Sequence, residues 1–357
     1  MLALAGCGSN SNHQSEPKLT VGAVEDAAKW ARDPDAQMQA AHNAGFRAIT
    51  LSALWEPGGT ADAILPPLRR AVKAAVATEI VPVLFVYQLS SNTPLDPTHR
   101  SAFAAFAATL ARKLPDVRTV IVGNEPNVNL FWLPQFGPDG SDAAATAYEQ
   151  LLAETYDALK HVDSGLEVVG GALAPRGSDD PNASRQTHSP TQFILDLGRA
   201  YRASGRDRPL MDAFSLHPYG ESPRVPPTLR HPHTTSLGIA DYPKLVGLLG
   251  RAFDGTAQPG SKLPVLYAEY GVETTIPQDE AAAYTGREVV EPVDASTQAR
   301  YYTVAIRLAR RQPTVAGIYI FHVVDETRLE GLQSGVRYAD GTPKASLEAV
   351  RRASLRP

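Results

Sequence analysis

The chain has 357 residues, of which 43% are hydrophobic and 20% are charged. This composition is typical of a folded globular protein and excludes a disordered or membrane-spanning chain. The formal net charge is −4, and no long run of lysine and arginine occurs. Nucleic-acid binding requires a basic surface, so we expect no nucleic-acid partner.

The single cysteine, Cys7, follows Leu4-Ala5-Gly6 and precedes a short polar segment. This pattern resembles the lipobox of bacterial lipoproteins, although the basic n-region and most of the apolar h-region are missing. A chance cysteine near the terminus is the alternative. We expect 1–7 to be a truncated lipoprotein signal and 8–18 a flexible tether. The protein is then exported, either lipid-anchored to the bacterial cell envelope through Cys7 or secreted.

From residue 19 onward, short apolar runs alternate with longer segments of helical periodicity. Most of the runs are continuous Val, Ile, Leu and Ala, which is typical of strands covered on both faces. The predicted strands are 19–24, 47–52, 80–87, 118–123, 166–172, 211–217, 264–269 and 315–321. Amphipathic spacing predicts helices over 61–77, 103–114, 146–162, 191–203, 242–253 and 295–311, with a closing helix over 347–352.

Eight strands separated by helices predict a single (β/α)8 barrel, an α/β fold, over residues 19–357. An open doubly wound sheet is the structural alternative, but no G-x-G-x-x-G or P-loop motif follows an early strand. The longer connections are 124–145, 173–190, 218–241 and 270–294, and each follows a strand. Barrel enzymes build their sites from such loops, so we expect the functional site at this end.

Two of the predicted strands deliver a glutamate to that end. The fourth strand runs into Asn124-Glu125-Pro126, and the seventh runs into Glu269. Two carboxyls at one barrel rim can cleave a glycosidic bond, because one protonates the leaving oxygen while the other attacks the anomeric carbon or activates water. The structural alternatives are a helix-capping Glu125 and a buried Glu269, with Glu273 as its main rival in the same loop.

The Asn-Glu-Pro motif after strand four and the glutamate after strand seven resemble clan A glycoside hydrolases, the 4/7 superfamily, of the family 39 or family 5 type. The resemblance covers residues 19–352. It implies a retaining glycosidase in which Glu125 is the acid/base, Glu269 is the nucleophile and Asn124 holds the sugar 2-hydroxyl. The implied substrate is a β-linked polysaccharide or oligosaccharide. No metal or organic cofactor is required, and we expect a monomer.

Strand six ends in His217-Pro218-Tyr219, and this His-x-Tyr also resembles the clan pattern. His217 is a candidate to orient the nucleophile or bind a sugar hydroxyl, and Tyr219 is a candidate to stack on a sugar ring. Because side chains alternate along a strand, Tyr267 is predicted to share the direction of Glu269 and to hydrogen-bond it.

Aromatic side chains near the rim are candidate sugar platforms, since sugars pack their C–H faces on rings. We select Trp55 and Trp132, for which packing beneath a loop is the alternative. Many clan members place a tryptophan after strand eight. This chain has Phe321 and His322 there, and His322 is a candidate for substrate binding.

No arginine follows strands one to three, and the histidines lack the spacing of a zinc site, so no metal site is predicted. Residues 335–344 predict a hairpin around Asp340-Gly341 before the last helix.

A non-catalytic carbohydrate-binding lipoprotein with the same barrel is the alternative function. The missing tryptophan supports it, while the retained Glu125, Asn124 and Glu269 oppose it. A barrel enzyme of another chemistry, such as a lyase, is disfavoured because no base-plus-metal or lysine signature is present.

Overall fold

The computed structural model describes residues 19–355. Cys7 and the predicted tether at 8–18 lie outside the described residues. In the described range, none of the helices combines the length and the apolar character needed to cross a membrane.

Eight parallel strands pair in chain order, and the last pairs with the first, so the sheet closes into a barrel. The predicted (β/α)8 barrel is therefore confirmed. The strands are β1 (Thr20–Val24), β2 (Ala48–Leu54), β3 (Val81–Tyr87), β4 (Thr119–Val122), β5 (Glu167–Leu173), β6 (Ala213–Leu216), β7 (Val265–Tyr270) and β8 (Val315–Phe321).

Helices surround the barrel and connect its strands. They are α1 (Ala27–Trp30), α2 (Pro34–Asn43), α3 (Ala61–Ala77), α4 (Pro97–Lys113), α5 (Ala143–Val162), α6 (Pro190–Ser204), α7 (Tyr242–Phe253), α8 (Ala295–Arg310) and α9 (Ala345–Leu355). The sequence predicted α3 and α7 with these bounds and missed α1 and α2. Helix α2 buries only Met38 and Ala41, so it lacks the apolar stripe by which a helix is recognised.

The apolar core has two parts. A large cluster packs the outer faces of the strands against the helices. A smaller cluster joins side chains from all eight strands without any helix residue, so it fills the inside of the barrel. Leu266 and Ala268 of β7 belong to the inner cluster, whereas Tyr267 between them belongs to the outer one. This division decides which strand residues can reach the cleft.

Side-chain caps fix where several helices begin. Asp96, Asp142, Ser189 and Asp294 each accept a hydrogen bond from the backbone N–H three residues ahead, at α4, α5, α6 and α8. The loops after the strands are therefore held at their far ends by defined helix starts. The predicted turn at Asp340-Gly341 is also present, with the Tyr338 N–H bonded to the Thr342 carbonyl at 2.9 Å.

Candidate active site

A cleft of about 1000 Å³ lies at the end of the barrel where the strands finish. Each strand end or following loop contributes to its lining. In strand order these residues include Asp26, Ser52, Tyr87, Glu125, Arg176, Tyr219, Glu269 and His322. The cleft is therefore at the end that the long loops predicted, where barrel enzymes carry their chemistry.

Glu125 is positioned by a tight turn after β4. The backbone is left-handed at Gly123 (φ 78°) and at Glu125 (φ 40°), and the Glu125 N–H still bonds the carbonyl of Ala172 at 2.9 Å. A Cβ at position 123 would lie 2.8 Å from the Tyr148 ring, so only glycine fits. The Tyr148 hydroxyl also donates to the Val122 carbonyl at 2.7 Å, which braces the turn.

Glu269 reaches the cleft because β7 is irregular. The register of β7 against β8 shifts between Tyr267 and Tyr270. As a result Ala268 packs inside the barrel while its neighbour Glu269 also lines the cleft. The Tyr219 hydroxyl donates a hydrogen bond to Glu269 Oε2 at 3.0 Å.

The structure contradicts the predicted contact between Tyr267 and Glu269. Tyr267 points outward into the helix layer, and its hydroxyl donates to Gln312 Oε1 at 2.7 Å. Strict alternation would place Tyr267 and Glu269 on one face, but the register shift in β7 breaks that alternation. Tyr219, from the loop after β6, makes the contact instead.

His217 joins the two glutamates. Its Nδ1 lies 3.1 Å from Glu125 Oε1 and 3.5 Å from Glu269 Oε2. A carboxylate can only accept, so Nδ1 carries the proton and donates it to Glu125. The two oxygens share one neighbouring nitrogen, and their separation cannot exceed the sum of the two distances, 6.6 Å.

The charges of this group are coupled. Burial raises the pKa of Glu269, and the nearby charge of Glu125 raises it further, while the opposing charge of His217 and the bond from Tyr219 only partly offset this. Burial lowers the pKa of His217, but the charge of Glu269 and the hydrogen bond to Glu125 outweigh it, so the net pKa of His217 is raised. The charge of His217 therefore favours the ionised form of Glu269, and the charge of Glu269 favours the imidazolium form of His217.

Asn124 also lines the cleft, with 7% of its surface exposed. Its Oδ1 has no hydrogen-bond partner among the described residues. A buried amide oxygen without a partner is unfavourable, so this group is available for a hydroxyl of a bound molecule.

His322 forms part of the cleft wall and has a left-handed backbone (φ 90°). Its Nε2 lies 3.1 Å from Glu326 Oε1, and its ring centroid lies 4.2 Å from that of Phe321. Burial lowers the pKa of His322, but the hydrogen bond to Glu326 and the charge of Glu25 outweigh it, and the net pKa is raised. The position after β8 therefore presents a basic side chain to the cleft.

Trp55 and Trp132, the predicted sugar platforms, are buried and do not line the cleft. The ring of Trp55 packs edge-on against His99 and Phe103, and that of Trp132 packs against Tyr148. The packing alternative is therefore the correct one for both. The aromatic side chains that do line the cleft are Phe85, Tyr87, Phe131, Tyr219, Tyr270 and Phe321.

Arg176, after β5, was not identified from the sequence. Its Nη1 donates to the backbone carbonyls of Tyr219 at 3.1 Å and Gly220 at 2.9 Å, so it ties the β5 loop to the β6 loop. It lies in the segment 173–190, which was predicted as a site loop.

Carboxylates dominate the charge of the cleft. Its lining includes Asp26, Glu125, Glu221, Glu269, Glu273, Glu291 and Glu326, against the basic residues Arg176 and His322. Within residues 19–355, no group of three or more histidine, cysteine, aspartate or glutamate side chains could hold a metal ion.

No protein-family model matches this chain, and no curated protein is similar to it in sequence. Solved structures share its fold. One is a GH39 β-xylosidase from Caulobacter crescentus, with 18% identity, a TM-score of 0.57 and coverage of 94% of this chain and 70% of that one. Another is the GH5_18 protein from Streptomyces cattleya solved with GlcNAc, with 16% identity, a TM-score of 0.62 and coverage of 95% and 80%.

A third is a calcium-binding mutant of β-glucuronidase 2 from Bacteroides uniformis, with 12% identity and a TM-score of 0.58. The match covers 94% of this chain, which spans about a third (34%) of the length of that protein. The barrel is thus of the type found in glycoside hydrolases. The neighbours include families 39 and 5, the two that the Asn-Glu-Pro motif indicated, so the predicted resemblance is confirmed at the level of the fold.

Proposed function

We propose that this protein is a retaining glycoside hydrolase that cleaves β-linked bonds of a polysaccharide or oligosaccharide. The observation that carries the proposal is the contact of His217 Nδ1 with both Glu125 and Glu269, at 3.1 and 3.5 Å. Two carboxyls are thereby held in one cleft around one histidine, which hydrogen-bonds Glu125 and lies close to Glu269, and double displacement requires such a pair of carboxyls.

In the first step Glu269 Oε2 or Oε1 attacks the anomeric carbon, and the bond from that carbon to the leaving oxygen breaks. Glu125 gives its proton to the leaving oxygen, so the aglycone departs as an alcohol. In the second step Glu125 takes a proton from water, the water oxygen attacks the anomeric carbon, and the ester bond to Glu269 breaks. Glu125 is again protonated and Glu269 ionised.

The side chains around the glutamates support these roles. The Tyr219 hydroxyl and the positive charge of His217 favour the ionised form of Glu269, which the attack requires. The free amide oxygen of Asn124 is available to bind a sugar hydroxyl beside the reacting carbon. His217 is therefore a positioning residue that holds both carboxyls without taking part in bond making.

The separation of the carboxyls favours retention. Retaining enzymes place the two groups about 5–5.5 Å apart, whereas inverting enzymes need roughly 6.5–9.5 Å to admit a water. The oxygens next to His217 are at most 6.6 Å apart, and that limit is reached only if they lie on opposite sides of Nδ1. This limit reaches only the lower edge of the inverting range, so the shorter retaining separation is favoured.

Hydrolysis of a panel of β-linked polysaccharides and aryl glycosides tests the proposal. Glu125→Gln and Glu269→Gln should each abolish activity on the substrate that the wild type cleaves. Glu56→Gln is the matched control, because Glu56 is exposed and does not line the cleft. If the wild type binds a glycan and releases no reducing ends, the protein is a carbohydrate-binding protein and the proposal is wrong.

The stereochemistry is tested separately. The anomer released first, followed by NMR within the first minutes, should have the configuration of the substrate. With azide, Glu269→Ala should yield a glycosyl azide of inverted configuration, because the azide occupies the place of the missing nucleophile. A first product of inverted configuration from the wild type would exclude double displacement.

We also propose that Cys7 is lipidated and anchors the protein to the cell envelope, on the basis of the Leu4-Ala5-Gly6-Cys7 sequence. The test places the chain behind a basic n-region and a full apolar h-region in a bacterial host. Labelled fatty acid should be incorporated into the wild type and not into Cys7→Ser. Equal labelling of both would refute the anchor.

A further inference from the structure

One wall of the cleft carries a buried carboxylate that the proposed mechanism does not use. Glu273 lies in the loop after β7 and lines the cleft together with Glu291 and Glu326. Only 8% of its surface is exposed, and its Oε2 has no hydrogen-bond partner among the described residues. A buried carboxylate is normally paired, so the environment of Glu273 is unusual.

The other carboxylates of the cleft have cationic neighbours. The nitrogen of a lysine, arginine or histidine lies within 4.0 Å of each of them, and Glu273 alone in the lining has none among residues 19–355. The pairs are Asp26 with Lys29, Glu125 and Glu269 with His217, Glu221 with His231, Glu291 with Arg224, and Glu326 with His322.

Lys344 is the cation near Glu273, but its hydrogen bonds are made to other groups. The Nζ of Lys344 donates to Thr274 Oγ1 at 2.7 Å, to Asp325 Oδ1 at 2.7 Å and to the Gln333 carbonyl at 3.0 Å. A lysine ammonium has three hydrogens, so none is left for Glu273. Lys344 therefore pairs with Asp325, and its charge acts on Glu273 without an ion-pair contact.

The remaining charges around Glu273 are negative. Burial, followed by the charges of Glu288, Asp325 and Glu326, raises the pKa of Glu273 to about 7. A bound cation would reverse this shift, because it would favour the ionised carboxylate. The acidic lining as a whole also raises the local concentration of cations and repels anions.

We propose that Glu273, together with Glu291 and Glu326, forms a subsite for an ammonium group, so that the substrate is a β-linked oligosaccharide containing a sugar with a free amine. This inference rests on the proposed glycosidase function and specifies its substrate class. Glu273 and Glu269 line the same cleft, so the subsite opens onto the space that holds the reacting centre. Sugars bearing a carboxylate are excluded by the same charges.

Binding tests the subsite independently of turnover. The probes are the β-1,4-linked tetramers of glucosamine and of glucose, which share a backbone and differ in charge. Affinities are measured by calorimetry on two chains, Glu269→Gln and Glu269→Gln with Glu273→Gln, so that neither probe is consumed. The amine tetramer should bind the first chain at least about tenfold more tightly than the neutral one, as one charge-assisted pair provides.

In the second chain this preference should disappear while the affinity for the neutral tetramer is unchanged. The matched control is Glu288→Gln, which removes one charge from the same loop at a residue outside the cleft lining and should keep the preference. Glutamine has the shape of the protonated glutamate, so the fold should be retained. Equal affinities for the two tetramers, or the same loss in the Glu288 control, would overturn the subsite.

The two proposals fail in different ways. Hydrolysis of a neutral β-glucan without a preference for amine-bearing sugars would support the proposed glycosidase activity and refute the ammonium subsite. Tight amine-dependent binding without hydrolysis of any substrate by the wild type would support the subsite and remove the glycosidase.

Discussion

The ion pair of Lys344 and Asp325 lies within the connection between β8 and α9, and its loss should be strongly destabilising. Both side chains are closed to solvent, with Lys344 Nζ 2.7 Å from Asp325 Oδ2. The change we consider is Lys344→Met, which keeps the length of the side chain and removes its charge. Asp325 then retains the hydroxyl of Tyr284 and the N–H of Gly335, each at 2.8 Å, as hydrogen-bond donors.

Two donors do not replace a cation for a buried carboxylate. Removing one partner of a buried pair lowers the free energy of unfolding by about 3–5 kcal/mol, because the other charge remains desolvated. In a domain of this size such a loss lowers the melting temperature by roughly 4–7 °C. The Gln333 carbonyl also loses the Lys344 donor but keeps the N–H of Thr274, so this loss adds little to the expected value.

Urea unfolding of the wild type and Lys344→Met measures the difference. The control is Lys344→Met combined with Asp325→Asn, which leaves no buried charge and should recover part of the loss. Burial raises the pKa of Asp325, and Lys344 opposes this shift, so the variant should hold Asp325 protonated more strongly. A group with a raised folded pKa stabilises the fold at low pH and loses that contribution as pH rises. The deficit of Lys344→Met should therefore be smallest in acid. A loss under 1 kcal/mol that is also independent of pH would refute the reasoning.

Three further predictions concern the cleft. Tyr219→Phe removes the hydrogen-bond donor to Glu269 and should lower kcat about 10- to 100-fold. Because that donor lowers the pKa of Glu269, the acidic limb of the pH–rate profile should move to higher pH. An unchanged pH–rate profile would contradict the contact. Gly123→Ala should lower the free energy of unfolding, measured in urea, by roughly 2–4 kcal/mol. The control is Gly140→Ala, because Gly140 is also left-handed but has nothing within 4 Å of the added carbon, and it should lose only about 1 kcal/mol. Equal losses would show that the contact with Tyr148 is not the cause. Glu273→Gln removes a carboxyl whose pKa rises from 4.5 to about 7 on folding. The raised pKa stabilises the folded wild type at low pH, and this contribution is lost as pH rises. The unfolding free energy of the variant should therefore increase by about 3 kcal/mol relative to that of the wild type between about pH 4 and about pH 8. A difference in unfolding free energy that stays constant with pH would contradict the pKa shift.

The strands of this barrel were predictable because they are buried on both faces. Each is a continuous apolar run, and the order of runs and amphipathic segments defines the eightfold repeat. The two helices between β1 and β2 were not predictable in the same way. Helix α1 has four residues, and α2 is mostly polar, so neither carries a clear hydrophobic period.

The glutamates of the cleft were predictable because each lies at the carboxyl end of a strand. Glu125 follows β4 and His217 follows β6, whereas Glu269 is part of β7 and lines the cleft because the register shifts there. The prediction for Tyr267 was wrong because the direction of its side chain depends on a register shift that leaves no mark in the sequence. The predictions for Trp55 and Trp132 were wrong for a related reason. An aromatic side chain in a loop packs inward or outward according to the helices that it meets elsewhere in the chain.

The free carboxylate of Glu273 could not have been found from the sequence. Its isolation depends on Lys344, 71 residues further along the chain, being occupied by Asp325. Charge pairing of this kind is a property of the folded loops. The sequence shows only that many acids follow the strands.

The direction of β1 has a consequence for how the molecule meets a surface. The chain enters the barrel at Thr20 and travels toward Val24, which lines the cleft. Everything that precedes residue 19 is thus attached at the end of the barrel remote from the cleft. With a lipid on Cys7, the opening would face outward from the membrane. A long polymer outside the cell could then cross the opening without meeting the bilayer.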